Sequence, residues 1–210
     1  MISVIIPACN EAKYIEKTLK NLPEEVEKIV VCNACNDNTE KIAEKYAKVY
    51  SIKEKGVCLA RNYGIGKCKG DIIIFLDADT IFDDNLIKYL NSIKEKSFFG
   101  TCRVKPDNNK LIAKVYCSIK NLSGLIGTHN ASGIIFCSKD ILDKVKFNEK
   151  ITKKENKDFS VRAKSYGKRY FLNCYTTTSM RRFEKTGYLN VPLYWLKELF
   201  IKDGDYPLIR

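Results

Sequence analysis

Apolar runs and amphipathic stretches alternate along the first 80 residues. Residues 2–8 (ISVIIPA) are apolar without interruption, as in a strand covered on both faces. Residues 11–22 place Ile15, Leu19 and Leu22 on one helical stripe. A second buried run at 29–32 leads through the polar turn NACNDNT to a helix near 39–47. A short strand at 48–52, a helix over 57–67 and the very apolar strand 71–76 (DIIIFL) follow. Strands alternating with short helices predict βαβ units and a parallel sheet covered on both sides.

Beyond Asp79 the pattern loosens. It predicts a helix near 84–95, a strand at 98–104, a helical stretch near 108–124 and a strand at 132–137. Helices near 139–145 and 156–166 and a last strand at 168–174 complete it. Residues 191–202 carry Leu193, Trp195, Leu196, Leu199 and Phe200 among two lysines and a glutamate, the pattern of an amphipathic helix. Such a helix packs on its own domain or a partner chain, or docks on a membrane surface.

The composition suits one domain with a real core: 210 residues, 45% hydrophobic, with no Pro/Gly/Ser-rich linker. The opening MISVIIPACNE lacks a basic leader region, and no run approaches the roughly 18 apolar residues of a membrane span. A cytoplasmic chain is therefore expected, with peripheral contact at the inner membrane face left open. In a reducing compartment the nine cysteines are expected as free thiols. Cys32 and Cys35 have Cys-x-x-Cys spacing, but there is no second close pair, and His129 is the only histidine, so zinc is not expected there. The net charge of +12 favours anionic partners such as phosphates, nucleic acid or an acidic membrane.

In doubly wound sheets ligands bind beyond the C-terminal ends of the strands. The residues there are Cys9-Asn10-Glu11, Asn33 to Thr39, and Asp77-Ala78-Asp79. The last group, within FLDADT, is the sharpest chemical signal. In an extended segment, side chains two apart point the same way, so Asp77 and Asp79 can converge on one ligand. Two carboxylates at the mouth of an apolar strand call for a counter-charge. Mg²⁺ or Mn²⁺, held by few protein carboxylates, keeps positions open for a diphosphate.

Four motifs in order resemble family-2 glycosyltransferases of the GT-A fold, over most of the chain: SVIIPACNE, VVCNACNDNT, GVCLARNYGIGKCKGDIIIFLDAD and KENKDFSVRAKSYGKR. The resemblance implies an α/β, Rossmann-like, mostly parallel central sheet flanked by helices. It implies a domain over 1–190, with a nucleotide-binding half to about 105 and an acceptor half from about 106, and a C-terminal appendage over 191–210. It also implies transfer of a sugar from a nucleoside diphosphate sugar to a saccharide or lipid-linked acceptor, with Mn²⁺ or Mg²⁺ as cofactor.

The resemblance also implies site roles. Pro7, Asn10 and Glu11 would line the nucleoside pocket, and Asn33 would meet the base where the family often has aspartate. Cys9 stands where an aromatic often stacks on the base. Arg61 would reach base or phosphate, Asp77 ribose or metal, and Asp79 the metal directly. The family's usual catalytic aspartate is replaced by Asn156, an amide that accepts a proton poorly. Glu155 and Asp158 are therefore the candidate bases; an already ionised acceptor would need none. Asp158 can alternatively be a salt-bridged helix residue with Arg162. Arg181 or Arg182 would contact the diphosphate or an anionic acceptor, the alternative being a solvated basic loop. Gly127 to Asn130 and Ser132-Gly133 would face sugar or acceptor, and His129 is a further metal-ligand candidate.

Rival readings lack their signatures. A nucleotidyltransferase or a dinucleotide fold needs a glycine-rich loop after the first strand, where this chain reads PACNEAK. The Gly-x-Gly at Gly64 and Gly66 lies at a helix end. No zinc-finger, helix-turn-helix or RNA-recognition signature supports a specific nucleic-acid partner. A degenerate, donor-binding relative without turnover is the remaining alternative, suggested by Cys9, Asn33 and Asn156.

Overall fold

A computed structural model describes residues 1–127, 133–188 and Asn190. Its eight strands are β1 (Ile2–Ala8), β2 (Glu27–Asn33), β3 (Lys48–Ile52), β4 (Ile72–Leu76), β5 (Thr80–Phe82), β6 (Phe98–Pro106), β7 (Ile134–Ser138) and β8 (Lys168–Thr178). The helices are α1 (Ile15–Asn21), α2 (Thr39–Ala43), α3 (Val57–Ile65), α4 (Asn85–Ser92), α5 (Leu111–Leu125), α6 (Lys139–Leu142), α7 (Glu155–Ala163) and α8 (Arg181–Thr186).

One sheet holds all eight strands in the order β3-β2-β1-β4-β7-β6-β8-β5. The β1–β2, β1–β4, β2–β3 and β6–β8 pairs are parallel, and β4–β7, β6–β7 and β5–β8 are antiparallel. The mostly parallel α/β sheet is thus present as expected. All seven residues of β1 are buried because helices cover both faces. Val4, Ile6 and Ala8 point into one core layer with Ile15 and Leu19 of α1 and Leu86 and Leu90 of α4. Ile5 points the other way, toward Cys58 and Ala60 of α3 and Phe159 of α7. The chain leaves β1 to one side for β2 and β3, then crosses to β4 on the other. The resulting crevice opens above Ala8 and Leu76.

Pro7 lies beyond the end of the β1–β4 ladder at the Ile5–Phe75 pair and stays in register only with Val31 of β2. Several expectations are corrected. The segment Thr80–Phe82 is a short strand paired with β8, and β8 runs on to Thr178, past the end expected at 174. Arg181 and Arg182 start a short helix rather than lying in a solvated loop. His129 and the stretch 191–202 lie outside the described residues.

Candidate functional site

Asp77 and Asp79 stand above β4, but not in the extended chain that the alternation argument assumed. Residues 77–80 form a tight turn in which the Thr80 N–H donates to the Asp77 carbonyl at 3.0 Å. The turn is held from both sides: the Asp77 N–H donates to the Gly133 carbonyl at 2.8 Å, and the Thr18 hydroxyl of α1 donates to the Ala78 carbonyl at 2.8 Å. Gly133 has a φ of +71°, and a Cβ there would meet the Thr80 hydroxyl at 2.7 Å, so glycine is required beside the turn.

Each aspartate meets its own arginine. Arg61 of α3 lies under the turn with 1% of its side chain exposed, and its Nη2 sits 3.2 Å from Asp77 Oδ1. Its Nη1 donates to Asn156 Oδ1 of α7 at 2.6 Å. The guanidinium stacks over the Phe147 ring at 4.9 Å. Asn62, the next residue, fixes Phe147 by donating to its carbonyl at 2.9 Å and accepting from its N–H at 3.0 Å. Phe147 in turn stacks on Phe159 and meets Phe75 of β4 edge-on. Arg61, expected at base or phosphate, is here a buried tie between Asp77 and Asn156. Asn156 fits this position because an amide oxygen accepts the guanidinium bond without adding a second buried charge.

On the other face Arg181 forms a two-pronged pair with Glu11, both contacts at 2.7 Å, and its Nε lies 3.0 Å from Asp79 Oδ2. It also covers the Tyr14 ring at 4.5 Å. Glu11 is almost wholly buried, so its carboxylate holds Arg181 instead of lining an open pocket. Burial works against the charge on Arg181, but the Glu11 and Asp79 carboxylates outweigh it and tighten the guanidinium's hold on its proton. Burial pushes the Asp79 carboxyl up from 3.8 to about 6; Arg181 opposes the rise, and the Asp77 and Glu11 charges add to it.

These groups sum to three carboxylates against two guanidinia when Asp79 is ionised. The excess is negative, and the exposed Asp77 and the shielded Asp79 offer hard oxygen ligands at the crevice mouth. Among the described residues no cluster of three or more ligating side chains exists. A cation here would complete its shell from diphosphate and water, as Mg²⁺ and Mn²⁺ do in such sites. The residues fit such an ion.

The remaining candidates separate clearly. Asn33 is 1% exposed; its amide donates to the Ala8 carbonyl at 2.9 Å and accepts the Gly56 N–H at 3.3 Å. The expected base-reading amide is thus a clamp joining the ends of β1 and β2 to the start of α3. Asn33→Ala is expected to cost about 1–3 kcal/mol, seen as a lower unfolding midpoint, with the preference among nucleotide bases unchanged. Asn10 is exposed in a left-handed conformation (φ 58°), and its Oδ1 accepts the Asn36 N–H at 2.8 Å, holding the loop after β2. Asp158, a candidate base, is paired within its helix to Arg162, Nε at 3.0 Å, the alternative that the i, i+4 spacing offered. Glu155 opens α7, partly exposed and beside Asn156. Arg182 follows Arg181 in α8, half-buried. Asn62, Phe147 and Tyr14 were missed; only the adjacency of Asn62 to Arg61 hinted at any of them.

Comparisons with known proteins bear on the family and the fold. The model of the family described as glycosyl transferase family 2 matches residues 3–186. The 4,4'-diaponeurosporenoate glycosyltransferase of Staphylococcus haemolyticus is 33% identical over 147 residues, which is 62% of this chain and 39% of that protein. The chain spans well under half the length of the curated relatives it matches. Among solved structures, a mannosyltransferase from Pyrobaculum calidifontis in complex with GDP-Man and Mn²⁺ superimposes with a TM-score of 0.70 at 19% identity, covering 98% of this chain and 65% of that one. S. aureus TarS 1–349 in complex with UDP-GlcNAc gives 0.66 at 21% identity, covering 85% and 58%. The four motifs, the crevice at the strand ends and a family match over nearly the whole described length lead to one conclusion: the chain belongs to glycosyl transferase family 2.

Proposed function

We propose that this chain transfers a sugar from a nucleoside diphosphate sugar, bound with Mn²⁺ or Mg²⁺ at Asp77 and Asp79, to an acceptor hydroxyl or phosphate. The observation that carries the reading is the turn at 77–80, which presents two carboxylates at the crevice and fixes each by a separate arginine. Fold neighbours solved with UDP-GlcNAc or with GDP-Man and Mn²⁺ support the donor class. The metal, when bound, would neutralise charge on the departing nucleoside diphosphate.

The chain's own residues divide the remaining work. Arg61 keeps Asp77 oriented from below. Arg181 keeps Asp79 oriented from the side and adds positive charge near the diphosphate. Glu155 is the base that takes the acceptor proton on its carboxylate, since Asp158 is engaged by Arg162 and Asn156 by Arg61. An ionised acceptor, such as a lipid phosphate, would make Glu155 dispensable.

Titration of UDP, GDP and dTDP sugars with and without Mn²⁺ tests the reading, and pH sharpens it. Ionised Asp79 is the metal-binding form, so metal-dependent affinity is expected to fall as pH drops through about 6, approaching tenfold per pH unit. Without metal the same raised carboxyl acts oppositely on stability: its contribution is full below 3.8 and lost as pH rises through about 6. No metal-dependent binding of any nucleotide sugar at neutral pH would overturn the proposal.

A further inference from the structure

Helix α5 is built inside out for a helix on a water-facing surface. Its core face carries small residues: Ala113, Cys117 and Gly124 are buried. Its bulky aliphatic residues point the other way. Leu111 is 77% exposed, Ile119 63%, Leu122 61% and, just beyond the helix, Ile126 74%; Val115 is also exposed. Positions 111, 115, 119, 122 and 126 follow helical spacing, so they form one stripe along the whole outer face. Of the exposed large hydrophobic residues described, about half lie on this helix or its end.

The helix cannot roll to hide the stripe. Asn121 is bound to both the N–H and the carbonyl of Val104 in β6, at 2.8 and 2.9 Å. Arg169 donates to the Gly124 carbonyl at 2.9 Å. A Cβ on Gly124 would lie 2.3 Å from the Phe171 ring, so the inner face is already in close contact with β8. The outward direction of the stripe is therefore fixed by the fold.

The electrostatics select the occupant. Helix α5 contains Lys114 and Lys120 and no acidic residue, and Arg103, Lys105 and Lys110 precede it with Asp107 the sole acid between residues 98 and 127. Lys110 is paired with Glu184, whereas Lys114 is exposed on the outer side. The whole chain carries +12. Lys120 is drawn inward over Tyr116, so the exposed cations near the stripe are Lys105 and Lys114; an aliphatic stripe flanked in this way suits a surface that is apolar inside and anionic outside. No helix among the described residues is long and apolar enough to cross a membrane. We propose that α5 lies in the plane of an anionic lipid surface, with Val115, Ile119, Leu122 and Ile126 inserted below the headgroups. The inference concerns this helix alone and does not depend on donor chemistry.

Cosedimentation of the full chain with vesicles of phosphatidylcholine, with or without phosphatidylglycerol, tests it. The wild type is expected to pellet with the anionic vesicles, less so as salt rises. Ile119→Glu combined with Leu122→Glu is expected to lower the partition at least about tenfold. Lys114→Glu, a milder change, is expected to reduce only the preference for phosphatidylglycerol. Both variants should keep the wild-type unfolding midpoint and nucleotide-sugar affinity. A wild type that stays in the supernatant overturns the proposal. So does a dimer by light scattering that the double substitution dissolves, which would assign the stripe to a second copy. A large fall in the variant's unfolding midpoint overturns it too, by showing that another part of the chain covers the stripe.

Discussion

Arg61→Leu is expected to lower the unfolding free energy by about 3 kcal/mol, from the lost bond to Asn156 and the space left beside Phe147. For a chain of this size that is a fall in Tm of about 10 °C. The size of the effect follows from what the guanidinium touches. It is 1% exposed, reaches Asp77 and Asn156 with its two Nη atoms, and covers the Phe147 ring. Leucine would leave the Asn156 amide without this bond, open space above Phe147, and free Asp77 from its only ion pair among the described residues. Arg61→Lys keeps the charge but not the fork that spans two acceptors, so it should recover only part of the loss. Denaturant unfolding of both variants measures this directly. A wild-type midpoint in Arg61→Leu would mean that the buried tie carries no weight in the fold.

The sequence made the first half of this molecule legible because its signals are local. The runs 2–8 and 71–76 are continuous and apolar, and each became a strand buried on both faces. The carboxylates followed directly at the mouth of β4, where the parallel-sheet rule places ligands. The i, i+4 spacing of Asp158 and Arg162 also showed in advance that this aspartate had an ordinary partner. The hydrophobic pattern is silent on the turn at 77–80, because that turn depends on one backbone hydrogen bond and on a glycine over fifty residues away.

What the sequence hid is contact between distant positions. Arg61 meets Asn156 across 95 residues, and Glu11 meets Arg181 across 170. Each of these four residues stood in a plausible site position, yet reading them singly sent Arg61 toward the ligand and Glu11 toward the pocket. Arg61 and Glu11 are buried and tied to the aspartates' surroundings: Arg61 to Asp77, and Glu11 to the arginine that also meets Asp79. Strand β5 and the far end of β8 escaped notice because Thr176, Thr177 and Thr178 look like a polar loop. They pair with Phe82, Ile81 and Thr80 at the edge of the sheet, where one side can stay polar. For α5 the sequence predicts only a helical stretch near 108–124; packing shows which side of it faces inward.

Asp79→Asn is expected to abolish metal-dependent donor binding while leaving the fold in place. Asparagine keeps the shape of the side chain and an oxygen for the Arg181 Nε, which now lies 3.0 Å from the carboxylate. It removes the charge that a hard cation requires. Changes in the surroundings of metal ligands alone commonly cost 10–100-fold in affinity, so losing a direct ligand should cost at least about a hundredfold. The stability effect should be small and favourable near neutral pH, because burial already disfavours the charged carboxylate there. Loss of donor affinity without loss of Tm would thus separate binding from folding.

The most direct measurement is Mn²⁺ binding followed by electron paramagnetic resonance, with UDP or GDP present, in wild type and Asp79→Asn. The wild type should take up the ion only when the diphosphate is there to complete its shell, and the variant should leave it free in solution. Equal uptake by both proteins would contradict the assignment of Asp79 as a ligand and, with it, the reading of the crevice as a nucleotide-sugar site.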